Sequence, residues 1–575
     1  MNINLKSIPF SMARSYMAIS DLDQDYRGGG NREGLHLRTV RGGAVSSIIG
    51  RLTPLFDGRE VSYTYEASAD ELVIRAEEGE LRICYADERT ILVKGLGKKI
   101  GMRLDLVRAM PFFHFLYEVS CKDNARYLVN CFGQNVKYLV WTQSGSTSMN
   151  QVWEGCTAKD NFLEFKDTEG ELLAVIREVS SEWDGVYQRY DYEASLTETK
   201  RKFEHFAKKM PEVPKRYRET ALAAAYVNWA SIVAGEGFLP RDTMYMSKNW
   251  MCNIWAWDHC FNAIALAYKN PSAAWDQWMI PFDLQDPTGL IPDTTNNSRL
   301  DWNYCKPPVH GWALSRMMQV MKLKEDQMAE AYDKLEKWTN WWLNYRDHDN
   351  DGICEYTHGF DSGWDNATAF CEMPPVELPD LQTFLILQME TLADLAERLG
   401  RAASAEAWKT RSESMLTAML EHCFENGCPK AVRSGSHNVI ETQSLILYMP
   451  VLLGERLPEH IRINLVDTLK SGGFLTTYGF ATENLASLLY DPDGYWRGPI
   501  WAPSTLLLLD GLYACGEKEL VRTVSEAFCN MVKEHGFAEN FNAVTGEGLR
   551  DLAYTWTPSV FLTIAYDYLG EEETK

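Results

Sequence analysis

Met102-Arg103-Leu104-Asp105-Leu106 alternates apolar and polar positions without a break, the period-two pattern of a strand with one face buried. Short apolar or β-branched runs surround it: Leu72-Val73-Ile74, Ile91-Leu92-Val93, Phe112 to Val119, Tyr138-Leu139-Val140-Trp141 and Leu172 to Ile176. Turn formers such as Gly95-Leu96-Gly97 and Thr168-Glu169-Gly170 separate them. Many short strands at close spacing predict an antiparallel β-sandwich over residues 1–195. The pattern changes near residue 195. Lys200 to Lys209 reads as a charged helix, Pro211 and Pro214 interrupt it, and an alanine-rich helix follows from Tyr217 to Ala234. Residues 196–214 are therefore taken as a helical linker, and 215–575 as a second, helical domain. In that domain Leu381, Leu385, Gln388, Leu392, Leu395 and Leu399 recur at helical spacing, with Gly400 just beyond as a stop. Trp338, Trp341 and Trp342 close another helix, and further helices are expected over 257–269, 311–322, 401–423, 457–470, 500–514, 517–534 and 556–569. The loops between them are long and rich in Gly, Trp and Asp, which suits a functional site better than a simple bundle.

Composition narrows the function. The chain has 575 residues and a net charge of −23, which disfavours nucleic acid and anionic membrane surfaces as partners. No run is long enough for a membrane span, and Met1 to Asp21 holds no continuous apolar segment of the kind a secretory signal needs. Thirteen cysteines, scattered and without a Cys-x-x-Cys pair, read as reduced thiols, so a cytoplasmic location is expected. The glycines at 28–30 lack the strand-to-helix setting of a phosphate loop. Nucleophile-elbow, zinc-protease, Walker and dinucleotide signatures are missing as well.

What remains is a pair of acidic residues among tryptophans. Phe360-Asp361-Ser362-Gly363-Trp364-Asp365-Asn366 offers Asp365, and Phe537-Ala538-Glu539-Asn540-Phe541 offers Glu539. Glycoside hydrolysis needs one carboxylic acid to protonate the leaving oxygen and a second carboxylate to attack carbon or activate water. An apolar surrounding helps the acid keep its proton. Trp257, Trp496, Trp501 and Trp556 can present apolar faces to a sugar ring, and Arg497 and Asp258 can bind its hydroxyls. The plain alternative is that Asp365 is a turn residue, Glu539 a surface ion-pair partner and the tryptophans core.

Five segments carry a resemblance: Trp255-Ala256-Trp257-Asp258-His259, Lys306-Pro307-Pro308-Val309-His310-Gly311-Trp312, Ser362-Gly363-Trp364-Asp365-Asn366, Tyr495-Trp496-Arg497-Gly498-Pro499-Ile500-Trp501, and Glu539-Asn540-Phe541-Asn542 with Thr545-Gly546. In this order they resemble glycoside hydrolase family 63, the processing α-glucosidases and their bacterial relatives. The resemblance implies an (α/α)6 barrel behind the β-sandwich and an inverting mechanism, with Asp365 as general acid and Glu539 as general base. Inversion would set those carboxylates about 6.5–9.5 Å apart. The substrate-binding set is then expected to be Trp257, Asp258, His310, Trp364, Trp496, Arg497, Gly498, Trp501 and Trp556, with His310 read as a sugar contact or a core hydrogen-bonder and not as a zinc ligand. Ala543 stands where the family usually has Pro. The expected activity is an exo-acting α-glucosidase on a short oligosaccharide or small α-glucoside. Hydrolysis of a glycosyl-glycerate or trehalose-like glycoside is the near alternative, and a phosphorylase or a non-catalytic carbohydrate-binding protein the more distant ones. No cofactor is needed for such chemistry.

A second constellation is Asp347-His348-Asp349-Asn350-Asp351-Gly352-Ile353. Oxygen ligands at alternate positions, here Asp347, Asp349, Asp351 and the Ile353 carbonyl, resemble the first half of a calcium loop. The twelfth position is His358 in place of the usual Glu, so a distant carboxylate would have to complete a structural Ca2+ site. The alternative is an Asp/Asn-rich turn after the helix that ends near Arg346.

Overall fold

The structure, a computed structural model, describes residues 1–43, 48–76, 79–107, 114–119, 125–179 and 188–570. It combines N-terminal antiparallel sheets with a C-terminal helical region. One sheet has the strand order 17–22, 34–39, 48–56, 100–106, 157–166, 146–154, with 59–60 hooked onto 48–56. The other has eight strands in the order 115–119, 126–131, 136–144, 171–179, 90–96, 79–87, 72–76, 63–67. The alternating segment lies in 100–106, where Met102 and Leu104 are buried and Arg103 and Asp105 are only partly covered. The other expected runs also lie in strands, except that residues 112–113 of the Phe112 to Val119 run fall outside the described residues. Cys84, Leu92, Leu128, Leu139, Trp141 and Val175 form a core on the eight-stranded sheet. Helix α1 (Tyr192–Ala207), capped by Asp191 accepting from the Ala194 N–H, adds Tyr192 to it.

The chain divides into two compact units: 1–208 with 225–253 and 296–299, and 209–224 with 254–295 and 300–575. The division is therefore not a single cut within 196–214, because two later segments belong with the sheets.

After α2 (Arg218–Ser231) come α3 (Asp258–Ala267), α4 (Pro271–Asp283), α5 (His310–Val320), α6 (Glu325–Tyr345), the short α7 (Gly359–Ser362), α8 (Pro379–Arg398), α9 (Ala402–His422), α10 (Glu459–Ser471), α11 (Ala502–Ala514), α12 (Lys518–His535) and α13 (Trp556–Asp567). A 3-10 segment, Leu445–Arg456, precedes α10. α3 packs on α5 and α13, α5 on α8, α8 on the 3-10 segment, that segment on α11, and α11 on α13. The following helices form a second set: α4 on α3, α9 on α8, α10 on the 3-10 segment and α12 on α11. α5 and α8 approach closely at Gly311, where an added Cβ would lie 2.4 Å from the Gln388 Cα. Among the described residues no helix is long and apolar enough to cross a membrane.

Candidate active site

Three of the motif segments run into helices, and Trp556 opens a fourth. Asp258 opens α3, His310 opens α5, Trp501 immediately precedes α11 and Trp556 opens α13. Strand pairing joins the last two motifs: Ile500 pairs with Phe541 and Trp501 with Asn540, which places Glu539 beside the Tyr495–Trp501 run. The Glu539 backbone is held by its N–H donating to the Asp551 carbonyl (2.7 Å) and its carbonyl accepting from Trp556 Nε1 (3.0 Å).

Asp365 comes from the turn after α7. Gly363 ends that helix at φ 72°, and a Cβ there would come within 2.6 Å of the Trp257 indole, so both conformation and space call for glycine. Beneath the turn the fully buried Asp361 accepts from the Cys305 and Thr357 N–H groups, the Thr357 hydroxyl and Arg346. Asn366 then bridges to the other motif. Its side chain donates to the Gly494 carbonyl (3.0 Å) and accepts from the Trp496 N–H (2.9 Å).

Five tryptophans wall the site and bury one another. Trp496 and Trp501 stack with centroids 3.9 Å apart and planes at 7°. Trp364 lies 4.7 Å from Trp496, and Trp257 lies 6.1 Å from both Trp496 and Trp556. None exceeds 3 % exposure, so they act as a packed wall more than as open platforms. Gly498 is buried as well, its N–H on Thr482 Oγ1 (3.0 Å), with no room for a Cβ against the Asp491 carbonyl. Arg497 is half-buried; its charge bears on Glu483, and its Nε makes no hydrogen bond. His310 is completely buried between Phe282 and Trp338, with Nε2 3.1 Å from the Ala256 carbonyl. It packs behind the motif that carries Trp257.

Three carboxyl groups here are pushed upward by burial. Burial raises Asp365 to about 6, an effect tempered by Lys306 and reinforced by Asp293. Burial also raises Glu539, with help from Asp551 and Asp258, to about 8, although Tyr495 stabilises the ionised form by donating its O–H to Oε1 (3.0 Å). Asp258 is raised to about 7 by burial; Lys306 and the Tyr554 hydroxyl, 3.0 Å away, oppose this. Asp365 bears on Asp258, Asp258 on Glu539, and all three on Tyr495. The groups that sequence motifs placed far apart therefore share one neighbourhood.

Two residues without an assigned role in the sequence control that neighbourhood. Lys306 is 5 % exposed; its Nζ is 3.1 Å from Asp293, 2.6 Å from the Phe360 carbonyl and 4.0 Å from Asp365. Tyr495 holds φ 64°, costly for a bulky side chain, and its carbonyl accepts from Trp501 Nε1 (3.0 Å) while its hydroxyl meets Glu539. The signal for both was their place inside apolar motifs, where a polar group needs a partner.

The Asp-rich loop meets a carboxylate from a distant part of the chain. Asp347 is spent on the N–H groups of Asp351 and Gly352 (both 3.1 Å). Asp349 and Asp351 instead face Glu377, His422 and His437. Glu377, fully buried, is the distant carboxylate that an oxygen-coordinated Ca2+ on this loop would need, with His437 beside it.

The family profile described as "Mannosylglycerate hydrolase MGH1-like glycoside hydrolase domain" matches residues 251–557, more than half of the chain and all five motif segments. A glucosylglycerate hydrolase of Mycolicibacterium hassiacum is 22% identical over 414 residues, covering 55% of this chain and 92% of its own. Among solved structures, the GH63 mannosylglycerate hydrolase of Thermus thermophilus in complex with Tris and D-glycerate aligns with TM-score 0.51 at 18% identity, over 60% of this chain and 98% of its own. A bacterial glucoamylase complexed with acarbose aligns with TM-score 0.63 at 10% identity, over 98% of this chain and 95% of its own, a likeness of fold alone. The chain belongs to glycoside hydrolase family 63, through its mannosylglycerate hydrolase MGH1-like domain, and is a glycoside hydrolase.

Proposed function

We propose that this enzyme is an inverting, exo-acting α-glycosidase that removes one sugar from a small α-glycoside, with Asp365 as general acid and Glu539 as general base. The observation that carries the reading is the sharing of one water-poor, tryptophan-walled site by Asp365, Glu539 and Asp258, all of which act on Tyr495. Asp365 gives its proton to the glycosidic oxygen as the C1–O bond breaks. Glu539 takes a proton from the water whose oxygen attacks C1 from the opposite face. Asp258 receives sugar hydroxyls, and His310 holds the Trp257 segment from behind. The cycle of helix contacts through α3, α5, α8, the 3-10 segment, α11 and α13 supports an (α/α)6 barrel with this site at the end where inner helices begin. The paired sheets support a β-sandwich.

The relatives' activities favour a glycosyl-glycerate over a longer α-glucoside. Asp365→Asn and Glu539→Gln should each lower kcat by about 100- to 10,000-fold on natural glycosides. NMR of the first product from an α-glycoside should show the β-anomer; an α-anomer would reject inversion.

One observation favours the opposite assignment: free Glu539 holds its proton more tightly than Asp365. Activated substrates separate the two. A glycosyl fluoride needs no acid, so it should restore turnover to Asp365→Asn but not to Glu539→Gln. Restoration of Glu539→Gln alone would make Glu539 the acid.

A further inference from the structure

We infer that the helical region carries a second, non-catalytic site, for a neutral sugar, in a hollow walled by Tyr513, Arg316 and Asp567. The paired carboxylates lie where the inner helices begin, and the hollow lies where they finish. Tyr268 directly follows α3, Gln319 is in the last turn of α5, Tyr513 is next to last in α11 and Asp567 ends α13. α11 and α13 have 13 and 12 residues, so roughly 15–20 Å of helix separates the two places. A sugar bound here touches neither Asp365 nor Glu539. The hollow measures about 480 Å3, within the range that holds a small ligand.

Its charges select against ions. Arg316 donates to Asp510 Oδ1 (3.0 Å) and to Asp567 Oδ2. Trp312 Nε1 and the Tyr568 hydroxyl also donate to Asp510, and the Tyr268 hydroxyl donates to Asp567 Oδ2 (2.6 Å). Arg456, the other cation on the wall, is taken by both oxygens of Glu390. Two carboxylates therefore face one spent guanidinium, and the negative ends of α5, α11 and α13 meet at the same place, so an anion is repelled. A metal cation would have to displace Arg316 from both carboxylates.

What is left over suits hydroxyl groups. Among the described residues, nothing hydrogen-bonds to Asp567 Oδ1 or to the side chains of Ser315 and Gln319, all on this wall. Beside them Tyr513 is 49% exposed and Val320 42%, apolar surface for the C–H face of a sugar ring. A clasp that only fastened helix ends would need Arg316, Asp510 and Asp567, but neither the open hollow nor the uncovered tyrosine.

The test titrates the full chain calorimetrically with glucose, mannose and maltose. Two variants report on the hollow: Tyr513→Ala removes the ring face, and Gln319→Trp fills the space. Both positions are exposed, so these substitutions spare the fold. Each should weaken one sugar-binding event by about 10-fold or more, and leave unchanged the event that Glu539→Gln alters at the catalytic carboxylates. A crystal soaked with the tightest of the three sugars should show a ring against Tyr513 and Asp567. Lys518 Nζ stands 5.6 Å from the Tyr513 ring centre, so inorganic phosphate is titrated as the competing class. Sugar binding that is unchanged in either variant, or phosphate binding here in preference to all three sugars, would overturn the inference.

Discussion

Tyr495 shows how much one hydroxyl decides. It donates to the ionised form of Glu539, so Tyr495→Phe should raise the Glu539 proton affinity by about one pH unit, near the ~1.4 kcal/mol of a modest hydrogen bond to charge. With groups at about 6 and 8, kcat/KM should follow a bell whichever group holds the proton. The variant should move the upper limb to higher pH. If Glu539 is the base, the maximum also falls, because the productive state, Glu539 ionised and Asp365 protonated, becomes rarer. An upper limb that shifts with an unchanged maximum would assign the acid role to Glu539. An upper limb that does not move would remove Tyr495 from the site's proton balance. The carboxylates themselves were legible as residues because each sits in an apolar motif. Lys306 and Tyr554 were not legible as their partners, since nothing near in sequence records a contact made across the fold.

Helices reveal themselves in sequence according to which faces they bury. α12 is strongly amphipathic, as is α6, and the pattern of apolar positions finds both. α8 ends at Arg398 with Gly400 just beyond at φ 71°, as its leucine spacing and the glycine predict. The 3-10 segment Leu445–Arg456 and α4 escape the same reading. The first is apolar almost throughout and contains Pro450; the second contains Pro281 and buries most of its residues, leaving no polar stripe. Close packing among inner helices is equally invisible until the neighbours are known. Gly311→Ala should destabilise the protein by about 1–3 kcal/mol in denaturant unfolding, because its Cβ would run into the Gln388 Cα of α8 as well as that residue's side chain. Gly133→Ala, with open space around it, should change stability by no more than about 0.5 kcal/mol. Equal effects at the two positions would refute the close-approach argument.

Across the whole molecule, the site weakens the fold that holds it. Glu539 ordinarily ionises near 4.5 and in the folded protein near 8, so between those values the native state binds a proton that the unfolded chain has released. Its contribution to stability is complete below about 4.5 and is lost as pH rises through 8. Asp258 and Asp365 follow the same sign, up to about 7 and 6. Glu539→Gln, which cannot ionise, should therefore have a higher Tm than the wild type, with a gap of a few degrees at pH 8 that narrows toward pH 5. A gap that stays constant with pH would rule out this linkage. The amino-acid sequence alone determined the change from strands to helices and the family, because periodicity and motif spacing are local properties. Only the tertiary structure decided which carboxyl groups lose their water, which cation offsets them, and that the distant Glu377 meets Asp349 and Asp351. Desolvation and Coulomb interactions depend on distance in space, and these partners lie tens to hundreds of residues apart along the chain.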